Sequence, residues 1–189
     1  TLTALELLQT GLPQQQAMGA RLICARSAGL LFCCVYCPNG KQLEHEDFPR
    51  KLAWFDSLHE FLSQTRKPDE PFVLCGDLNL CPTPLDSWSE ELHAGGIFHT
   101  PAERERFRQL QRWGLIDLYR DLHPELRAYS WWDYRGGSFH KNEGLRIDFL
   151  LGTAPVRARL SAAEIDRDFR KKQAELSASD HAPVWADLR

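Results

Sequence analysis

Two short apolar runs separated by a helical pattern constrain the fold of this chain more than any other feature. The first run covers residues 30–36 and ends in a turn at Gly40, and the second covers residues 71–75 and ends at Gly76. Between them apolar residues recur at intervals of three and four, which is the period of an amphipathic helix. The order strand, helix, strand predicts a βαβ unit and an α/β fold.

The composition excludes some classes of protein but does not indicate a function. The 189 residues are 43% hydrophobic and 26% charged, a balance typical of one globular domain. A net charge of −3 excludes a globally basic nucleic-acid coat, so a polyanionic partner requires a local basic patch. No apolar run approaches the ~20 residues of a membrane span. Without a secretory leader, we expect a cytoplasmic protein that needs no membrane, and we expect its six cysteines to stay reduced.

The rest of the chain divides into a weakly patterned start and a strongly patterned remainder. Residues 1–20 resemble a truncated connection of doubtful order, and residues 21–189 read as the C-terminal part of a single domain. A capping box at Thr100 and Glu103 predicts a second helix that ends near Gly114. Residues 129–134, 145–151 and 182–188 read as strands, and residues 161–180 as a polar, partly helical surface excursion.

One acidic residue lies inside an apolar strand. Asp148 is flanked by Ile147 and Phe149, and an unpaired carboxylate there would cost several kcal/mol. His181 is a candidate partner, because a carboxylate that holds one imidazole nitrogen presents the other nitrogen in a fixed direction. The alternative is that Asp148 only caps a neighbouring loop.

Further polar residues lie at predicted strand ends. Asp77 and Asn79 follow the second apolar run, Asp180 and His181 precede the last strand, and Tyr36 ends the first run. Each motif alone is more often a turn, an Asx turn in the case of Asp77. Together, hard oxygen ligands, an imidazole and a phenol favour Mg²⁺-assisted phosphoryl chemistry, with Mn²⁺ as the alternative metal.

A family resemblance rests on these motifs taken in order. The motifs are Tyr36-Cys37-Pro38-Asn39-Gly40, Gly76-Asp77-Leu78-Asn79, Ser130-Trp131-Trp132-Asp133-Tyr134-Arg135, Leu145-Arg146-Ile147-Asp148 and Ser179-Asp180-His181-Ala182-Pro183. This set resembles the exonuclease III family of abasic-site endonucleases, within the endonuclease/exonuclease/phosphatase superfamily. The resemblance implies a four-layered α/β sandwich with two packed mixed sheets, here without its N-terminal strands.

The resemblance also implies a role for each matching residue. Asp77 would exchange a proton with the attacking water or the leaving oxygen, and Asn79 would orient that water. Tyr36 would contact the phosphate, and Asp148 would hold His181 against it. The metal would be bound by Asp77, Asn79 and Asp180.

The implied substrate is double-stranded DNA with abasic sites or 3′ ends, bound by a monomer. Trp131 and Leu145 fall where the family builds the pocket for an extruded abasic sugar, and a missing base makes that extrusion easier. Arg135 and Lys141 belong to a loop, residues 135–146, whose net positive charge suits DNA. The alternatives are a phospholipid or inositol phosphate substrate, which uses the same chemistry, and a non-catalytic DNA-binding fragment.

One departure from the family concerns the metal. Family members begin with a strand that carries an Asn and, after a helix, a Glu that binds the metal, and neither segment has a counterpart in these 189 residues. We therefore expect the 189-residue chain by itself to bind Mg²⁺ weakly and to cleave DNA negligibly.

Overall fold

The computed structural model describes residues 4–171 and 177–189. Its strands are β1 (Glu6–Thr10), β2 (Leu22–Ser27), β3 (Leu30–Tyr36), β4 (Phe72–Asp77), β5 (Ile116–Asp117), β6 (Asp148–Gly152), β7 (Leu160–Ile165) and β8 (Val184–Leu188). Its helices are α1 (Asp47–Thr65), α2 (Glu90–His93), α3 (Pro101–Trp113), α4 (Leu118–Leu122), α5 (Ser138–Lys141) and α6 (Ala154–Arg157). None of the helices in the described ranges is long and apolar enough to cross a membrane.

Six strands form one mixed sheet and two form a second sheet. The order in the large sheet is β1-β2-β3-β4-β6-β5, in which β3 and β4 are parallel and the other neighbours are antiparallel. Strands β7 and β8 form an antiparallel pair. The predicted α/β fold with two sheets is confirmed, although in the described part of the chain the second sheet is antiparallel rather than mixed.

The large sheet is covered differently on its two faces. Helices α1 and α3 bury one face in a continuous core that includes Trp54, Phe107 and Phe149. The opposite face carries Leu30 and Val73, which pack with residues of the two-stranded sheet. The large sheet therefore lies between a helical layer and the β7–β8 sheet.

The two long helices follow the signals that predicted them. Helix α1 begins at Asp47 and contains the expected apolar stripe. In α3 the backbone N–H of Glu103 donates to Thr100 Oγ1 at 3.1 Å, and the N–H of Thr100 donates to Glu103 Oε2 at 3.0 Å. The helix ends at Trp113 and is capped by Gly114, whose φ of 128° suits a glycine.

Four expectations about local structure were wrong. Residues 6–10 form β1, paired with β2, and are not an irregular connection. Residues 160–165, predicted as part of a surface excursion, form strand β7, because Ala163 and Ile165 pack against the large sheet. Residues 172–176 of the predicted excursion lie outside the described residues. Residues 129–134 make only isolated bridges rather than a strand. Cys24 and Cys33 are directly opposite on β2 and β3 and form a disulfide.

Candidate active site

Three of the predicted site residues meet at one edge of the large sheet. Tyr36 is the last residue of β3 and lies in register with Asp77, the last residue of β4. Asp77 in turn lies opposite Asp148, the first residue of the antiparallel strand β6. The topology thus places a phenol and two carboxylates from three segments on neighbouring strands.

A glycine makes this approach of β3 and β4 possible. Gly76 has a φ of 129°, and a Cβ atom at this position would collide with the backbone carbonyl oxygen of Val35. Any larger residue would therefore displace β4 next to Asp77. The glycine of the Gly76-Asp77-Leu78-Asn79 motif is a structural requirement of the site.

Asp148 and His181 form the predicted pair. Oδ2 of Asp148 lies 2.8 Å from Nδ1 of His181. Asp148 reaches this position because its backbone N–H, like that of Ile147, donates to Ser130 Oγ at 3.1 Å. The His181 side chain is one-third exposed, so the imidazole is fixed on one side and accessible on the other.

Asp77 and Asn79 form a compact turn. The backbone N–H of Asn79 donates to Asp77 Oδ1 at 2.8 Å, which forms the Asx turn expected for an isolated motif of this kind. The Asn79 amide also donates to Asp77 Oδ2 at 3.1 Å and to the Cys37 carbonyl at 2.9 Å. Asn79 is almost fully buried, so its side chain orients the Asp77 carboxylate rather than turning freely in solvent.

The pKa values of Asp77 and His181 are both raised in the folded chain. Burial, together with the charge of Asp148, raises the pKa of Asp77 to about 7. Burial alone would lower the pKa of His181, but the hydrogen bond from its ring to Asp148 and the charges of Asp148, Asp77 and Asp180 outweigh it and raise the pKa. An acid that titrates near neutrality next to an imidazolium can exchange protons with a substrate.

The same group has the donor chemistry of a cation site. Within the described ranges, Asp77, Asp148 and His181 offer ligand atoms within 4.8 Å of one another. Two carboxylates directly opposite on adjacent strands repel, and a divalent cation would relieve that repulsion. The predicted ligand Asp180 is not in this group; its Oδ2 accepts a hydrogen bond from Trp131 Nε1 at 3.0 Å.

Trp131 connects the site to an apolar cluster. It forms isolated bridges with both Leu145 and His181. Leu145 and Ile147 are buried beside Trp131, with Leu145 only 7% exposed. Trp131 therefore pairs with the backbone of His181, whereas Leu145 is linked to His181 only through Trp131 and contributes mostly packing, together with Ile147.

The loop of residues 135–146 exposes fewer basic side chains than its sequence predicts. Arg146 is buried and donates to Asp117 and Asp86, so it cannot face DNA. Arg135 is 88% exposed but forms an ion pair with Asp133 at 2.8 Å. Lys141 ends α5 with an exposed side chain 4.0 Å from Glu143. Lys141 and Arg135 remain the exposed cations of this loop.

Two residues outside the predicted set, Lys51 and Asn39, support the position of Asn79. Lys51 is completely buried, and its ammonium group contacts the backbone carbonyl of Asn79 at 2.5 Å and forms an ion pair with Glu103. Asn39 donates to Asn79 Oδ1 at 3.4 Å. The signal for Lys51 was present, since a lysine three residues after Phe48 falls on the apolar stripe of α1.

Comparisons with known proteins agree with this geometry. The model of a family described as "Endonuclease/Exonuclease/phosphatase family" matches residues 9–181. Exodeoxyribonuclease III of Haemophilus influenzae is 33% identical over 82% of this chain and 60% of its own length. An exodeoxyribonuclease of Bacillus subtilis is 30% identical over 87% of this chain and 62% of its own length. The chain thus spans about three fifths of these two relatives.

Solved structures give the same result. A Neisseria 3′ phosphatase bound to a product DNA hairpin matches with a TM-score of 0.89 and 34% identity over 100% of this chain and 72% of its own. An AP endonuclease from Archaeoglobus fulgidus matches with a TM-score of 0.92 and 29% identity, with the same coverage. These similarities extend over the whole described fold, including both sheets.

Proposed function

Because the chain belongs to the endonuclease/exonuclease/phosphatase family, we propose that its protein is a metal-dependent phosphodiesterase of DNA repair. It cleaves double-stranded DNA at abasic sites and removes nucleotides from 3′ ends. The observation that carries this proposal is the contact of 2.8 Å between His181 and Asp148 beside Asp77, at the edge where β3, β4 and β6 meet. The bacterial relatives support a cytoplasmic location for it.

Each side chain has a role that follows from its contacts. The His181 imidazolium, fixed by Asp148, stabilises negative charge that develops on the phosphate. Asp77, whose pKa of about 7 lies near neutral pH, accepts a proton from the attacking water or returns one to the leaving oxygen. Asn79 keeps the Asp77 carboxylate in place, and Tyr36, half-exposed in register with Asp77, contacts the phosphate.

The donor set favours a hard divalent cation. Carboxylate and amide oxygens are the ligands that Mg²⁺ prefers, and we assign Asp77, Asn79 and Asp180 to it, with Mn²⁺ as the alternative metal. Because Asp180 lies outside the cluster of Asp77, Asp148 and His181 and accepts a hydrogen bond from Trp131, its assignment requires its side chain to turn towards the metal. When bound, Mg²⁺ supplies Lewis-acid polarisation of the phosphoryl group and offsets the charge of the opposed carboxylates.

Substrate choice is assigned to the surroundings of Trp131. Its contact with Leu145 puts an apolar wall beside His181, which suits an extruded sugar without a base. Phe139 packs on Trp132, so the loop that carries Arg135 and Lys141 is anchored next to this wall. These cations then follow the DNA backbone beside the site, and we expect one monomer for each cleavage event.

The test uses the native polypeptide that carries this sequence, with Mg²⁺ and a duplex containing one abasic site. We expect cleavage at that site, and loss of cleavage in Asp77→Asn and His181→Ala with DNA binding largely retained. Asp56→Asn, a change of an exposed acid on α1, serves as the matched control and should cleave normally. Wild-type cleavage by either site variant would contradict the role given to that residue.

Parallel assays separate the alternatives. Hydrolysis of sphingomyelin or an inositol phosphate, without cleavage of DNA, would replace the substrate in this proposal. Salt-dependent DNA binding without turnover would indicate a DNA-binding protein instead. Robust Mg²⁺-dependent cleavage by the isolated 189-residue chain would overturn our expectation that this chain alone is nearly inactive.

A further inference from the structure

Two free thiols face each other in the middle of the large sheet. Cys34 on β3 and Cys75 on β4 are in register as direct partners of the parallel pair. The two other free cysteines of the described chain, Cys37 and Cys81, are completely buried.

The two thiols are accessible because they lie on the incompletely covered face of the sheet. Cys34 is exposed. Cys75 is partly buried and lines an apolar cavity of about 340 Å³ between the large sheet and β8, with Phe32 and Leu150 among its neighbours. A small oxidant can therefore reach the pair from solvent.

The backbone geometry suits a covalent link. Adjacent strands lie about 4.8 Å apart, and disulfides join Cα atoms separated by roughly 4.4–6.8 Å. Neighbouring residues of a strand point to opposite faces, so the Cys24–Cys33 disulfide lies on the other side of the sheet. That disulfide cannot compete for Cys34 without rearrangement of β3.

We propose that Cys34 and Cys75 form a peroxide-oxidisable dithiol that closes to a disulfide across β3 and β4. The exposed Cys34 thiolate attacks a peroxide oxygen, the O–O bond breaks, and the product is a sulfenic acid and one water. The Cys75 sulfur then attacks the sulfenic sulfur, the S–O bond breaks, and a second water leaves as the S–S bond forms. The two thiols lose two electrons and two protons in total, and hydrogen peroxide takes up both.

The site lies beside the candidate catalytic edge. Residues two apart on a strand share a face, so Cys34 precedes Tyr36, and Cys75 precedes Asp77, on the same side of the sheet. The link would thus join the two strands that deliver Tyr36 and Asp77. The proposal concerns the thiols alone and does not depend on the function proposed above.

The test treats the reduced, folded chain with hydrogen peroxide, blocks the remaining thiols and maps the products by mass spectrometry. Trypsin releases Cys34 in residues 27–41 and Cys75 in residues 67–104. We expect these two peptides to be joined, with fragmentation locating the link at Cys34 and Cys75. In urea, where the sheet is lost, we expect the selectivity for this pair to disappear.

Variants make the assignment specific. Cys34→Ser and Cys75→Ser should each abolish the link, and circular dichroism checks that they remain folded. Cys34 is exposed, so Cys34→Ser should remain folded and can test the proposal even if Cys75→Ser unfolds. Cys37→Ser, in the same tryptic peptide as Cys34, is the matched control and should keep the link. A link through Cys37 or Cys81, a link that survives Cys34→Ser, or oxidation of Cys34 without any link would overturn the proposal.

Discussion

At the scale of single residues, the pair of His181 and Asp148 gives the most direct prediction. Asp148→Asn removes the charge and the strong acceptor that hold the pKa of His181 above its ordinary value, while burial still lowers it. We expect the pKa of His181 to fall, which an NMR titration of its imidazole signals measures. Asp56→Asn should leave this pKa unchanged. An unaltered His181 pKa in Asp148→Asn would show that Asp148 does not hold the ring.

Asp77 predicts a pH dependence of stability. An unfolded aspartate has a pKa of about 3.9, whereas burial and Asp148 raise the pKa of folded Asp77 to about 7. The folded chain therefore holds this proton more tightly, so its contribution to stability is complete below about pH 4 and is lost as the pH rises through about 7.

Relative to wild type, Asp77→Asn should gain stability as the pH rises from 4 to 8. We expect its free energy of unfolding to gain on the order of 2 kcal/mol relative to wild type. This is less than the full pKa shift of Asp77 implies, because the side chain is only partly buried and solvent screens its charge. Urea unfolding in metal-free buffer at several pH values measures it. A constant difference between the two proteins over this range would contradict a raised pKa for Asp77.

Residue identities at the site were more predictable than their surroundings. The Asp148–His181 contact followed from one physical argument, the cost of a carboxylate in an apolar strand. The position of Lys51 on the apolar stripe of α1 indicated its burial, but its role was missed because its partners, Glu103 and the Asn79 carbonyl, are distant in sequence. The burial of Leu145 and Arg146 likewise depends on tertiary contacts that sequence spacing does not contain.

At the scale of elements, a buried ion cluster holds the strands of the site to the loop before α2. Arg146 donates to Asp86 at 2.7 Å and to Asp117 at 2.7 Å. Burial alone would raise the pKa of Asp86, but Arg146, Thr83 and Arg120 hold it below its usual range. The arginines of the cluster therefore supply the hydrogen bonds and the positive charge that keep these buried carboxylates ionised without water.

Removal of the central cation should destabilise the fold strongly. Arg146→Met leaves buried carboxylates without their main partner, at a cost of about 3–5 kcal/mol in the free energy of unfolding. Arg135→Met removes an exposed arginine and should change it by less than about 1 kcal/mol. Urea unfolding compares the two variants, and a similar, small effect of both would show that the cluster contributes little.

Elements were predicted well where their signal was local. The apolar runs, the stripe of α1 and the capping box of α3 depend on residues within a few positions, and all appear in the structure. Strand β7 was missed because its polar residues face solvent, while Ala163 and Ile165 reach the core only through pairing with β8. Pairing between distant segments decides such strands.

At the scale of the whole molecule, we expect DNA to be bound through few ionic contacts. The net charge is −3, and the exposed cations of the 135–146 loop are Arg135 and Lys141. For the native polypeptide on abasic duplex, Lys141→Ala should weaken binding and reduce the slope of log affinity against log salt by about 1. Lys67→Ala, an exposed lysine after α1, is the matched control. Equal slopes in both variants, measured by fluorescence anisotropy, would remove Lys141 from the DNA-binding surface.

The assembly of the site from strand ends has a consequence for the newly made chain. His181 must find Asp148 across 33 residues, and Asn79 must find the Cys37 carbonyl across 42 residues. Translation must therefore proceed past residue 181 before the imidazole can dock against Asp148. Because domains fold as units during and after synthesis, a molecule synthesised only as far as β6 lacks part of the candidate site. A nascent chain in which His181 has not yet reached Asp148 therefore lacks the fixed imidazole of the candidate site.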